Sequence, residues 1–383
     1  MHPTQIVVLA FGVAAIFGTL LLSLPLATAE GNTTSFVTAF FTAVSAVCIT
    51  GLTVVDTATH WSGFGQFVIM LLIQLGGLGI VSFATLLGLL ISGRISLRDR
   101  MNTLSEAKIV GADNVPKLLS RILLVYFGFE LVLACYLTLR LHLSYGQELL
   151  SSLWHGTFHA ISAFNNGGFS LYTDSMVGFS QDMFFIAPVM LAVIVGGLGF
   201  PVLIELHERL WRLRLQPGGK ARRFSLHTRL TLWMTVTLLV IGALFIGAME
   251  WNNPGTLGGL NTWDKFVNTM FASVMPRSGG LNSVDISQMD PATWLGIDLL
   301  MFIGGGSAST AGGIKVTTIA VLVFIIYTEI RGETAVNVGN RRLPRSIQRQ
   351  ALTLVALSAV AILFTTLLFA ATTNFSLDQI LFD

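Results

Sequence analysis

Charge is scarce in this chain of 383 residues: Lys, Arg, Asp and Glu make up 11% of it, against 53% hydrophobic residues and a mean hydropathy of +0.74. A soluble globule of this composition would leave too much apolar surface in water, so a bilayer is the solvent it fits. Cysteine is nearly absent as well. The two present, Cys48 and Cys135, fall in a semi-polar loop and inside an apolar run, which argues against a structural disulfide. No Lys or Arg precedes the first apolar run. Although residues 5–29 close on Ala27-Thr-Ala29, they lack the basic start of a cleavable secretory leader. The net charge of +2 gives no reason to expect nucleic acid as a partner.

What the chain does have is long apolar stretches. Crossing a bilayer takes about 20 apolar residues, and such stretches run at about 5–27, 62–92, 118–139, 180–204, 228–249, 292–329 and 350–372. The few cations are unevenly placed. Eighteen of the 22 Lys and Arg lie in or beside three connections, Arg94 to Arg121, Arg209 to Arg229 and Arg331 to Arg349. The positive-inside rule makes those connections, and the N-terminus with them, cytoplasmic. Glu30, Asp56, Glu148, Asp174, Asp264, Asp285 and Asp290 collect on the other face.

On that outer face a pattern recurs three times. A semi-polar stretch closes on a glycine: Ser45-Ala-Val-Cys-Ile-Thr-Gly51-Leu52, Ser162-Ala-Phe-Asn-Asn-Gly-Gly168-Phe169 and Val274-Met-Pro-Arg-Ser-Gly-Gly280-Leu281. Gly51 and Gly168 are 117 residues apart, Gly168 and Gly280 are 112 apart, and a second glycine cluster follows each at an offset of 25, 28 or 24, at Gly76, Gly196 and Gly304. These repeats divide the chain at about 1–93, 117–214 and 227–330. The fold class expected is an all-α polytopic membrane protein built of helix, pore-loop, helix repeats.

Those residue types suit a cation path. A permeating cation exchanges its water shell for oxygen ligands, and backbone carbonyls provide them where a loop is held extended. Glycine allows the dihedrals such a loop needs. The preceding segments, Thr34–Val47, Leu149–Phe164 and Thr262–Val274, have the length of half-helices whose C-terminal dipoles place partial negative charge at the loops. The filter candidates are Cys48, Ile49, Thr50 and Gly51, then Asn165, Asn166, Gly167 and Gly168, then Arg277, Ser278, Gly279 and Gly280, with the cation held by backbone carbonyls. Ordinary external loops with turn glycines are the alternative, and the threefold match weighs against it. A second unusual stretch, Gly304-Gly-Gly-Ser-Ala-Ser-Thr-Ala-Gly-Gly-Ile-Lys315, interrupts an apolar span with five glycines and a cation. It does not suit a lipid-facing helix, and no Gly-Lys-Ser/Thr makes it a phosphate-binding loop.

With these residues in hand, the chain resembles the potassium-translocating membrane subunits of the Trk/Ktr/HKT superfamily, nearer the Ktr type because the first pore loop follows the first span. The most specific segments are Val47-Cys-Ile-Thr-Gly51-Leu52, Gln74-Leu-Gly-Gly-Leu-Gly79, Met275-Pro-Arg-Ser-Gly-Gly280 and Ser309-Thr-Ala-Gly-Gly-Ile-Lys315. The resemblance implies a pseudo-fourfold ring of such repeats around one pore, the fourth incomplete at 346–383, with potassium held by the filter carbonyls and preferred at Gly51, and an intramembrane gating loop carrying Gly304, Gly305, Gly306, Ser309, Thr310, Gly312, Gly313 and Lys315. It also implies a homodimer in the cell membrane, docked on a cytosolic nucleotide-binding regulatory ring, with no cofactor bound by this chain. The fourth repeat stops within a pore helix at Ser376–Asp383, so a longer polypeptide is expected.

Other polar residues admit competing readings. Glu130 lies mid-span on an outer helix, where a structural hydrogen bond is expected. Arg277 is expected to pair with Asp285, and Gln74 and Asn165 to satisfy backbone groups behind the filter. The glycines at 76–79 and 196–199 suit close helix packing. His155 and His159 have the spacing of a helical metal site, but the segment reads His-Gly-Thr-Phe-His and lacks the glutamate of a metalloprotease. No enzyme is expected. The alternative function is a sodium-coupled or proton-coupled secondary cation symporter.

Overall fold

The computed structural model describes residues 3–79, 115–215, 224–333, 335–338 and 341–382. The end of the apolar stretch expected at 62–92, and most of the basic connection that follows it, lie outside those residues. The first repeat runs from α1 (Pro3–Leu22) through a half-helix α2 (Phe36–Cys48) and a single turn α3 (Thr57–His60) to α4 (Gly63–Gly77). The second is α5 (Val115–Tyr145), half-helix α6 (Leu149–Phe164), α7 (Met183–Leu198) and α8 (Phe200–Leu215). The third is α9 (Leu226–Glu250), half-helix α10 (Thr262–Val274), α11 (Pro291–Phe302) and α12 (Val316–Ile330). A two-residue hairpin, β1 (Asn337–Val338) on β2 (Arg341–Arg342), leads to α13 (Arg345–Thr372) and α14 (Leu377–Phe382).

Two of the half-helices, α2 and α10, start where a polar side chain takes over an orphan N–H, whereas α6 follows Glu148 with no such side-chain bond. Ser35 Oγ accepts from Thr38 N at 3.1 Å, and Asn261 Oδ1 accepts from Asp264 N at 2.9 Å. Each such cap contributes about 1 kcal/mol. Among the described residues, Ile122–Tyr145, Leu226–Glu250 and Arg345–Thr372 are long and apolar enough to cross a membrane singly. Met183–Leu198 and Phe200–Arg209 do so only as a pair bent by 104°. The continuous span expected at about 180–204 is therefore corrected to a broken one. Gly199, at φ +92°, is the break, and it is held there by a partner from the third repeat described below.

Two apolar cores hold the half-helices in place. Leu22, Ala43, Ile69, Trp61, Phe158 and Phe169 pack α1, α2, α4, α6 and the loop after α6 together. Tyr126, Leu137, Phe164, Phe185, Val189 and Phe271 join α5, α6, α7 and α10. The α6 half-helix contributes to both, so the second pore loop is anchored from two sides. Apolar side chains also line the outside, including Leu124, Leu131, Val132, Trp233 and Leu244, as expected of surfaces that face hydrocarbon rather than water.

Candidate functional site

The three half-helices end close to one another, and the loops beyond them share a backbone. Ile49, Asn166 and Ser278 have φ of +57°, +58° and +81°, and two residues later Gly51, Gly168 and Gly280 have φ of +78°, +73° and +69°. L-residues avoid this region, so each loop is held in its turn by its surroundings. The first two loops are fastened alike. Thr50 N donates to Ser45 O and Gly167 N to Ser162 O, while the hydroxyls of Ser45 and Ser162 each reach across the loop to Leu52 O and Phe169 O at 2.7 Å. The third loop has Val274 at the equivalent position and instead turns both Gly279 N and Gly280 N onto Met275 O.

Gly51, Gly168 and Gly280 meet. A Cβ on Gly168 would lie 2.8 Å from Gly51 Cα and 3.3 Å from Gly280 Cα, and a Cβ on Gly51 would lie 3.1 Å from Gly167 O. No side chain fits there. The loops present only backbone to one another, and the C-terminal ends of α2, α6 and α10 add their partial negative charge to the same place. Cys48 and Thr50 are exposed at this end of the first repeat, whereas Asn165 and Asn166 are fully buried.

The glycine clusters expected to aid packing do so at two positions. Gly76 lies against Val47 O and Gly196 against Phe164 O so closely that any side chain would overlap the carbonyl. Between α11 and α12 the chain from Ile303 to Lys315 is non-helical and packs beneath the second and third loops. Ile303 bridges Ile314 in parallel register, with Gly304 N donating to Ile314 O at 3.0 Å. Gly306 N donates to Gly197 O at 2.7 Å and Phe200 N to Ala308 O at 3.0 Å, which occupies the groups freed at the break between α7 and α8. Thr310 Oγ1 donates to Phe164 O at 3.1 Å and accepts from Asn166 Nδ2 at 2.9 Å. Gly312 N donates to Ser278 Oγ at 2.9 Å, and Lys315 Nζ donates to Ala311 O at 2.6 Å. Gly305 and Ser309 complete the segment, with Ser309 Oγ donating to Gly306 O, and Gly313 turns it at φ +68°.

Several expectations are corrected here. Arg277 does not pair with Asp285. Its Nη2 donates to Gly304 O at 3.2 Å, while Asp285 caps Ser287 N at 3.0 Å on the outer surface. Arg277 points inward because its loop turns that way, where a backbone carbonyl is the available acceptor. Gln74 and Asn165 serve each other and Glu130 more than the backbone; of these contacts only Asn165 Nδ2 to Ile161 O is to main chain. Their shared carboxylate draws the amide donors away from main-chain acceptors. His155 and His159 hold no metal-binding group among the described residues. His159 accepts from Leu171 N at 3.2 Å, and both rings stack on Tyr172. Cys48 and Cys135 are free thiols. The fastening roles of Ser45 and Ser162 were not anticipated, although their shared position six residues before Gly51 and Gly168 was a usable signal.

Known proteins resemble this chain in sequence and in fold. The model of the TrkH cation transport protein family matches residues 1–383. Ktr system potassium uptake protein B of Bacillus subtilis is 39% identical over 365 residues, which cover 94% of this chain and 78% of that protein. Ktr system potassium uptake protein D of the same organism is 35% identical over 389 residues, covering 100% and 84%. The potassium/sodium uptake protein NtpJ of Enterococcus hirae is 34% identical over 367 residues, covering 95% and 79%. Among solved structures, the potassium transporter TrkH from Vibrio parahaemolyticus has the same fold, with a TM-score of 0.68 at 19% identity over 95% of this chain and 72% of that one. Matched from end to end by the family model, this multi-pass helical membrane protein belongs to the TrkH cation transport proteins, a family of transporters and not of enzymes.

Proposed function

We propose that the chain is the ion-translocating membrane subunit of a Ktr-type potassium uptake system. The observation that carries this reading is the meeting of Gly51, Gly168 and Gly280, all at positive φ, at the C-terminal ends of three half-helices. The relatives named for potassium uptake supply the substrate class. In this reading Cys48 to Gly51, Asn165 to Gly168 and Arg277 to Gly280 are the filter segments, selecting potassium by backbone carbonyls. The three loops are in contact, so a cation must part them to gain its ligands. Gly304, Gly305, Gly306, Ser309, Thr310, Gly312, Gly313 and Lys315 form the gate beneath.

The repeats at 1–93, 117–214, 227–330 and 346–383 are the proposed units of this pore. The assembly is a homodimer in the cell membrane with the N-terminus cytoplasmic, and a cytosolic nucleotide-binding subunit controls it. The uptake of potassium and rubidium under sodium competition, in a bacterial host lacking its own potassium uptake, tests the reading. The full-length polypeptide that carries this chain restores growth at low potassium, and Gly51→Ser within it reduces discrimination against sodium because the new side chain enters the space beside Gly167 O. Unchanged selectivity in that variant removes the filter assignment. The likeness to a potassium/sodium uptake protein favours sodium coupling as a second reading. A flux requiring sodium in fixed stoichiometry and saturating at low turnover would support it.

A further inference from the structure

Glu130 sits midway along α5, within the hydrocarbon span, and is only 4% exposed. No Lys or Arg among the described residues bonds to it. Its partners are amides: Oε2 accepts from Gln74 Nε2 at 2.7 Å and Oε1 accepts from Asn165 Nδ2 at 2.8 Å. Asn165 Nδ2 also approaches Gln74 Oε1 at 3.3 Å, and Tyr126 donates its hydroxyl to Asn165 Oδ1. Gly77 leaves the room for this amide, since a Cβ there would overlap Asn165 Oδ1.

The cluster has one consistent set of donors and acceptors, and Glu130 sets it. Both Glu130 oxygens act as acceptors, so each requires an N–H group from its partner. That requirement turns Gln74 and Asn165 so that their nitrogens face α5, and it leaves Asn165 Oδ1 for the Tyr126 hydroxyl. Asn165 is the cap residue of α6 and is followed directly by Asn166, Gly167 and Gly168. The first repeat (Gln74), the outer helix of the second (Glu130, Tyr126) and the start of the second pore loop (Asn165) are thereby locked in one geometry.

We propose that Glu130 is a positioning residue for cation discrimination, acting through Asn165 to hold the second pore loop in register with the first. This rests on the filter reading above. A carboxylate serving stability alone would change how much protein accumulates but leave the selectivity of the molecules that fold. A positioning carboxylate changes selectivity and can be replaced by an arrangement that restores the donor and acceptor order.

The test compares Glu130→Gln with the double exchange Gln74→Glu, Glu130→Gln, each in the full chain, by rubidium uptake against rising sodium. Glu130→Gln sets an amide N–H against one of the two donor amides. Leaving a buried donor unsatisfied in this way lowers potassium over sodium discrimination by about tenfold. The double exchange gives the carboxylate to position 74 and an acceptor oxygen to Asn165, and it restores discrimination to within about threefold of the parent. If Glu130→Gln does not accumulate, Tyr126→Phe, which removes a single hydroxyl, decides, with an expected fall of about threefold. Parent-like selectivity in Glu130→Gln, or no recovery in the double exchange, or parent-like selectivity in Tyr126→Phe, overturns the proposal. The unmodified full-length polypeptide is measured alongside. Its failure to transport potassium refutes the proposed function, whereas normal transport with indifferent variants refutes only the role of Glu130.

Discussion

At Gly168 two constraints coincide. Its φ of +73° is costly for any residue with a Cβ, by about 1–2 kcal/mol, and that Cβ would lie 2.8 Å from Gly51 Cα, where only backbone can give way. Gly168→Ala therefore reduces both transport and selectivity more than Gly51→Ser does. Gly12 offers the contrast, since nothing lies within 4 Å of a Cβ there. Gly12→Ala leaves uptake intact and stabilises its helix by about 0.5–1 kcal/mol, which thermal unfolding in detergent would register. A loss of uptake in Gly12→Ala equal to that in Gly168→Ala would show that glycine is needed for something other than the meeting of loops. On the outer surface, Asp56 accepts from Ala58 N at 3.0 Å and from the hydroxyls of Thr59 and Thr173 at 2.8 and 2.9 Å, tying the first repeat to the second. Burial pushes its pKa up, but the hydrogen bonds to the charged form outweigh it and leave the value below the ordinary carboxylate. A lowered folded value means that Asp56 stabilises the protein above the unfolded pKa of about 3.9, and that this is lost as pH falls through the folded value. Asp56→Asn accordingly melts earlier than the parent at pH 6, and the difference closes in acid. A gap that stays constant to below the carboxylate range would assign the effect to shape rather than charge.

For the elements, the non-helical segment between α11 and α12 bonds to several others at once. The chain from Ile303 to Lys315 donates to Gly197 O, Phe164 O and Ser278 Oγ, so it contacts both the broken helix and two of the three pore loops. If it closes the path, deletion of its central residues raises flux in proteoliposomes and reduces dependence on the regulatory subunit. Lys315→Ala does so more weakly, because it removes one charge and leaves the obstruction. Deletion protein that folds but conducts no better than the parent would assign the segment to packing. How readable each element was follows from where its cause lies. The half-helices at 149–164 and 262–274 have the bounds expected from sequence, because their ends are set locally, by the switch between polar and apolar residues and, for the second, by the Asn261 cap. The break at Gly199 was not readable. Gly196-Gly-Leu-Gly199 repeats the pattern of Gly76-Gly-Leu-Gly79, and the bend arises from a segment a hundred residues further on, whose Ala308 O receives Phe200 N. Arg277 misled for a similar reason, since its partner is a main-chain carbonyl, which no side-chain pattern reveals.

Over the whole molecule, orientation is the property that composition speaks to most directly, and the shortage of cysteine makes it testable. Three basic connections on one face and an acidic set on the other call for an inside-positive arrangement. Glu333 and Ser346 are exposed beside the hairpin that joins α12 to α13, and Ser287 is exposed in the loop before α11. Cys48 and Cys135 are both exposed, so each must first become serine, and the resulting chain must still support potassium uptake. Single cysteines are then placed at Ser287, Glu333 and Ser346, and intact cells are treated with a thiol reagent that cannot cross the membrane. Ser287→Cys is labelled at once, whereas Glu333→Cys and Ser346→Cys react only after the cells are opened. The reverse pattern would invert the chain and put the three pore loops on the cytoplasmic side. Labelling of all three in intact cells would mean that the stretch from α11 to α12 enters and leaves by the same face. In that case the break at Ile303–Lys315 would be a turn of a re-entrant pair, and no gate could lie across the path there.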